Sequence, residues 1–168
     1  MVKFTLGIIG GGQLGSMLAI AAKKLDIKTV IFSDDQEAPG QKFSDDFVFG
    51  EYNDENKINE FIEKVDIVTF EFENIPFETL NKINETKKVL PKPSINKIIQ
   101  HRIYEKDFIN KCNFKTTFYD SVKNDKELKS KTNFVPGIIK TCTFGYDGKG
   151  QHKINSLDEL DKINLKYN

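Results

Sequence analysis

Gly10-Gly11-Gly12-Gln13-Leu14-Gly15 is the stretch that decides the fold. It follows residues 3–9, an apolar run that reads as a buried strand. It opens residues 12–25, where Leu14, Met17, Leu18, Ala21, Ala22 and Leu25 recur at helical spacing. Strand, glycine turn and helix together are the context that a G-x-G-x-x-G loop requires. Glycines let the backbone turn tightly. The helix N-terminus offers unpaired N–H groups and a positive dipole end to an anion.

Working outward, residues 28–32, 47–49, 66–72 and 89–90 read as further strands, and residues 54–64 and 76–84 as helices. Asp54 is placed to cap the first of these helices, and Pro76 to occupy the first position of the second. Strands alternating with helices predict an α/β fold with a parallel sheet and right-handed crossovers. Ligands in such sheets bind beyond the carboxyl ends of the strands. Attention therefore falls on residues 10–15, 33–35 and 71–74.

Asp34 and Asp35 stand where a dinucleotide fingerprint wants its ribose-binding acid. The glycine loop alone therefore leaves two readings open, an NAD(P)-binding Rossmann domain and a plain β–α turn. Glu71 and Glu73 count against the first, because dinucleotide binding gives an acid pair after the fourth strand no task. A strand's period of two would put both carboxylates on one face.

Composition narrows the class. The 168 residues carry 25 Lys+Arg and 25 Asp+Glu, a formal net charge of zero. That balance argues against nucleic-acid binding through bulk positive charge and against a polybasic membrane surface. With 38% hydrophobic and 30% charged residues the chain reads as globular rather than disordered. No apolar run approaches the ~20 residues of a membrane-spanning helix. The run ending at Ile9 is too short for the core of a signal peptide. Cys112 and Cys142 make no disulfide framework. The default compartment is the cytoplasm.

Residues 91–94, with two prolines, mark a boundary. Beyond it the pattern predicts a helix capped by Ser94, a helix over 102–112 with Cys112 in the core, and a strand-like segment at 116–119. A helical patch at 125–129, a strand over 134–140 and an extended segment at 152–154 follow. Ser156 with Glu159 forms a capping box for a last helix. Between Lys140 and His152 lies a second glycine-rich loop, Thr141-Cys142-Thr143-Phe144-Gly145-Tyr146-Asp147-Gly148-Lys149-Gly150-Gln151. A lysine ending an apolar strand reaches a phosphate as a compact point charge. Glycines let loop N–H groups approach its oxygens, and such loops close over nucleotides.

Four elements now occur in order: residues 10–15, residues 69–76 (Thr-Phe-Glu-Phe-Glu-Asn-Ile-Pro), Arg102 with Lys106, and Lys140 with residues 145–151. In this combination the chain resembles the 5-(carboxyamino)imidazole ribonucleotide synthase (PurK) family of ATP-grasp ligases, over about the family's N-terminal half. The resemblance implies a Rossmann-like pre-ATP-grasp domain over residues 1–95 and the beginning of an ATP-grasp domain over 96–168. It implies ATP binding by Arg102, Lys140, Gly145, Tyr146, Asp147, Gly148, Lys149, Gly150 and Gln151. Gly12, Gln13, Leu14, Glu71 and Glu73 would lie near the substrate, 5-aminoimidazole ribonucleotide, which the family carboxylates with bicarbonate through carboxyphosphate. Mg2+ would be needed, its ligands lying in the family's other half, so this portion alone is expected to be inactive. A homodimer or a separately encoded C-terminal half are the partners the resemblance suggests. The alternatives are the NAD(P)-binding protein and a non-catalytic remnant. Ser16, His101, Cys142 and Phe144 depart from the family's usual residues.

Overall fold

β1 (Thr5–Ile9) is the centre of a five-stranded sheet in the order β3-β2-β1-β4-β5. The computed structural model describes residues 4–145 and 148–165. β1 pairs in parallel with β2 (Lys28–Ser33) on one side and β4 (Ile67–Phe70) on the other. β3 (Asp46–Phe49) and β5 (Lys88–Val89) extend the sheet at its two edges, also in parallel.

The register sorts side chains by parity. Ile9 stands beside Phe32, and Ile8 beside Ile31. Ile9, Val30, Phe32, Val48 and Val68 face one way, and there they meet Phe61, Ile75, Leu80 and Ile83 in the main core. These last residues come from α2 (Glu55–Lys64), α3 (Phe77–Asn84) and the turn before α3. On the opposite face Ile8 and Ile31 pack with Ala19 of α1 (Gln13–Lys23). The layers are helix, sheet, helix, as the alternation predicts. Strand order reverses at β1, so the loop after it sits at the topological switch point.

α1 differs from the sequence expectation in which face it buries. Gly15, Ser16, Ala19 and Ala22 are buried, whereas Leu14, Met17 and Leu25 are 55%, 57% and 71% exposed. The reason is proximity. A Cβ on Gly15 would lie 2.4 Å from the Gly10 carbonyl oxygen, so this face of the helix admits only small residues.

Other boundaries move for local reasons. β4 ends at Phe70 rather than continuing to residue 72. Pro76 is the cap of α3 rather than its first residue, with extended ψ, and its carbonyl accepts from Leu80 N–H. Ser94 lies inside α4 (Pro93–Ile99), which begins at Pro93, a position suited to a residue without an N–H. Asp54 caps α2 as expected, accepting from Asn56 and Lys57 N–H. Asn96 of α4 is fully buried and donates to the Ile75 carbonyl at 3.0 Å, tying α4 to the turn that follows Glu71.

By its contacts the chain divides between Ile99 and Gln100. The second unit contains α5 (Arg102–Lys111), α6 (Asp125–Lys129), the antiparallel pair β6 (Gly137–Lys140) and β7 (Gln151–Ile154), and α7 (Leu157–Lys162). Leu128, Ile154 and Leu160 form its small core, with Val135 and Ile139 packed against them. Thr132–Phe134 is a 3₁₀ turn, so the strand expected from residue 134 begins at Gly137. Residues 116–119 form no strand. Side chains of α5 hold them instead: Asn110 and Thr116 bond each other, Lys106 reaches Thr117, and Asp107 accepts from the Tyr119 hydroxyl. Cys112 is exposed, not core, because α5 ends at Lys111 and turns it outward. Ser156 caps α7 by accepting from Glu159 N–H, while the Glu159 carboxylate takes the Asn155 N–H, one residue before the usual capping-box partner.

Phe61 is fully buried between the central strands and α2, and it lies against the bare backbone of Gly7. Phe61→Ala is expected to cost about 3–5 kcal/mol. Urea unfolding of the parent and the variant checks this, with an unchanged dependence on urea concentration.

Candidate functional site

Each unit carries one glycine loop. In the first, Gly10 turns the chain out of β1 with a positive φ of 101°, which glycine tolerates and other residues resist. Its N–H donates to the Phe32 carbonyl at 2.9 Å. Gly12 caps α1 with extended geometry and no capping side chain of its own. Glu71 supplies the partner from the end of β4: its Oε1 accepts from Gly12 N–H at 3.2 Å. The Glu71 backbone is set by its own N–H donating to the Ile9 carbonyl at 3.1 Å.

Burial pushes the Glu71 carboxyl above its ordinary range, and the Gly12 hydrogen bond opposes this. Gln13 and Leu14 are the first residues of α1, and both are exposed. Glu73 is exposed in the turn after β4. The strand has ended by then, so the two carboxylates do not share a strand face. Of the expected substrate residues, Gly12 and Glu71 are joined by a hydrogen bond, while Gln13 and Leu14 are exposed on the first turn of α1 and Glu73 in the turn after β4.

Asp35 closes its own loop by accepting from Glu37 N–H at 2.9 Å, and its N–H donates to the Ser33 hydroxyl. Asp34 lies near Tyr52, whose phenol is pushed far up, first by burial and then by the Asp34 charge. Both aspartates thus have local tasks in this loop.

The second loop is the connection of a hairpin. Lys140 pairs with Gln151, and Thr141 N–H donates to the Gly150 carbonyl at 2.9 Å. Lys140 is exposed at the end of β6. Gly148 and Gly150 have positive φ, 80° and 67°. A Cβ on Gly150 would lie 2.6 Å from the Thr141 hydroxyl oxygen, and one on Gly145 would lie 2.8 Å from the same atom. Thr141 is therefore the packing post of the loop, a role the sequence did not signal. Phe144 is 74% exposed with a positive φ of 56°, a strained setting for a bulky residue. Lys149 is exposed on the turn with Gly148. Tyr146 and Asp147 lie outside the described residues.

Arg102 is the link between α5 and this loop. Its backbone N–H donates to the Cys142 carbonyl, its Nε to Thr141 O at 3.1 Å, and its Nη2 to Gly145 O at 2.7 Å. The rigid fork of a guanidinium suits two carbonyls at fixed separation, and an ammonium does not reproduce it. His101 caps α5 without a side-chain hydrogen bond and stacks on Tyr104 at 4.1 Å. No helix among the described residues is long and apolar enough to cross a membrane.

Residues 3–100 match the family model described as the ribonucleotide synthetase preATP-grasp domain. The chain belongs to this preATP-grasp family. N5-carboxyaminoimidazole ribonucleotide synthase of Brucella melitensis is 37% identical over 95% of the chain, which spans 45% of that relative. The crystal structure of the Staphylococcus aureus N5-carboxyaminoimidazole synthetase complexed with ADP superposes with a TM-score of 0.89 at 34% identity. The match covers 96% of this chain and 44% of that one. An ADP complex of a purK N5-carboxyaminoimidazole ribonucleotide synthetase gives a TM-score of 0.87 at 32% identity, over 96% and 45% of the two chains. This preATP-grasp protein is thus homologous to the N-terminal portion of those synthases, and it spans somewhat less than half their length.

Two outcomes follow from the geometry. Glu71 binds its proton more tightly when folded, so its contribution to stability is present below the ordinary glutamate range and lost as pH rises through the raised value. The stability of Glu71→Gln relative to the parent should therefore climb across that window and level off above it, as read by urea midpoints from pH 3 to 8. Arg102→Lys should keep the charge but loosen the hairpin. Hydrogen exchange of the amides at 141–145 and 148–150 is expected to speed up roughly tenfold, the loss of about 1–1.5 kcal/mol of hydrogen bonding, with amides of β1 and β2 unchanged.

Proposed function

We propose that this preATP-grasp protein is the N-terminal portion of an ATP-dependent ligase of purine synthesis. The ligase would carboxylate the amine of 5-aminoimidazole ribonucleotide with bicarbonate in the cytoplasm. The observation that carries the reading is the hairpin loop between Lys140 and Gln151. Its glycines, two cations and carbonyls pinned by Arg102 fit the task of covering a nucleotide's phosphates.

In that reaction bicarbonate oxygen attacks the γ-phosphorus of ATP, giving carboxyphosphate and ADP. The ribonucleotide amine then attacks the carboxyl carbon and inorganic phosphate leaves. The difficulty is charge on the transferring phosphoryl group, and fixed cations and N–H groups meet it. Lys140, at the rigid end of β6, would hold a phosphate oxygen. Residues 145–151 would lay N–H groups over the triphosphate, and Lys149 would add a second cation. Arg102 would act by holding the loop's carbonyls away from the phosphates. Gly12, Gln13, Leu14, Glu71 and Glu73 would face the ribonucleotide.

Magnesium would neutralise the triphosphate. Among the described residues no three His, Cys, Asp or Glu side chains cluster as a metal site. We assign its ligands to the part of the relatives' length that this chain does not span, whether carried on the same polypeptide or on a separate one. A second copy of the chain is a further candidate partner.

Calorimetry of the full chain with ATP and magnesium tests the reading. Saturable binding is expected. Lys140→Ala should weaken it about 10- to 100-fold, the loss of one charge-assisted contact of about 1.5–3 kcal/mol. Binding that is unchanged in Lys140→Ala removes Lys140 from the site. Tight NAD binding with no ATP effect overturns the reading.

A further inference from the structure

A cavity of about 330 Å3 lies at the β5 edge of the first unit, between α3, β5 and the start of α4. All of its lining residues belong to that unit, and none belongs to either glycine loop. Its volume is at the small end of the about 300–1,000 Å3 of small-molecule sites. Phe77 at the start of α3, Val89 of β5 and Pro93 at the start of α4 give it an apolar side, with Val89 and Pro93 buried.

The polar side is rich in donors. Asn84 Oδ1 accepts from Val89 N–H at 3.1 Å, so the NH2 group of that side chain is what remains for a ligand. Ser94 adds a hydroxyl. Lys88 and Lys92 add two ammonium groups, and neither is in an ion pair among the described residues. Lys97 stands over the Phe77 ring, 4.7 Å from its centroid, a third cation beside the apolar side. None of the residues lining the cavity is acidic.

The Asn84 bond also decides the kind of occupant. β5 is an edge strand, and such edges accept further strands through their outward N–H groups. Leu90 N–H turns inward to the Val68 carbonyl, and the outward Val89 N–H is taken by Asn84. That position on the edge is closed to a peptide strand and left to a small molecule.

We infer that this cavity binds a small organic anion, a carboxylate or phosphomonoester on a flat apolar body. Lys88 and Lys92 hold the anionic group, and the body rests against Phe77, Val89 and Pro93. A cleft lined by one sign of charge and by apolar walls focuses its field on an ion of the other sign. A cation there is repelled, and a neutral ligand leaves both ammonium groups without a counter-charge. The inference goes beyond the nucleotide reading, because it concerns other residues and holds whatever the hairpin loop binds.

The test is titration of benzoate, phenyl phosphate, benzamide and inorganic phosphate into the 15N-labelled full chain. The amides of Asn81, Asn84, Lys88, Val89 and Ser94 are the readout. Benzoate or phenyl phosphate should shift them saturably, and whichever binds more tightly identifies the anionic group. Benzamide has the shape of benzoate without its charge and should bind at least roughly fivefold more weakly, the margin of a charge-assisted contact. Inorganic phosphate, which has the charge without the body, should be weaker by a similar factor. A Lys88→Ala, Lys92→Ala double variant should lose at least roughly tenfold in affinity for the tighter anion, with the amides of β1 and β2 unmoved. Both lysines are exposed, and the comparison of benzoate with benzamide in the parent carries the test if that variant misfolds. The inference is overturned if neither organic anion shifts these amides saturably, including when only the hairpin amides respond. It is also overturned if benzamide matches benzoate, if inorganic phosphate matches phenyl phosphate, or if the folded double variant binds as the parent does.

Discussion

The approach of Gly15 to the Gly10 carbonyl is the constraint on which the first unit depends. With α1 held this close to the end of β1, only Gly15, Ser16, Ala19 and Ala22 fit beneath it, and the large apolar side chains are displaced outward. The same closeness puts Gly12 within reach of Glu71 and fixes where the helix dipole points. A bulkier residue at position 15 would move the helix, and with it the cap, the loop and the carboxylate that closes them. Backbone contact, more than side-chain packing, therefore sets the geometry of the sheet's carboxyl edge.

The two glycine loops answer the same physical problem differently. Each follows the end of a strand, and each is shaped by one charged side chain. In the first the shaping group is an acid, which uses the loop's donor. In the second it is Arg102, which uses the loop's carbonyls.

Much of this was legible in the residues. The parallel sheet, the order of its elements and the Asp54 cap follow from periodicity and capping chemistry, which are local. The resemblance to the synthase family rested on motifs spaced along the chain, and homology over the N-terminal portion bears it out. Less legible were the ends of elements near prolines. Pro76, expected to open α3, caps it, and Pro93, expected to precede a cap at Ser94, opens α4. Residues 116–119 have the composition of a strand but pair with no strand among the described residues, and α5 side chains hold them.

The sequence by itself determined the fold class, the positions of both glycine loops and the candidate residues Glu71, Arg102 and Lys140, since hydrophobic period, glycine and charge are properties of the chain read in order. Only the tertiary structure decided what those residues touch. Glu71 meets Gly12 across 59 positions, and Arg102 meets Gly145 across 43. No local pattern encodes such pairs, because they exist only once the sheet has brought the ends of β1 and β4 together and the hairpin has folded back on α5.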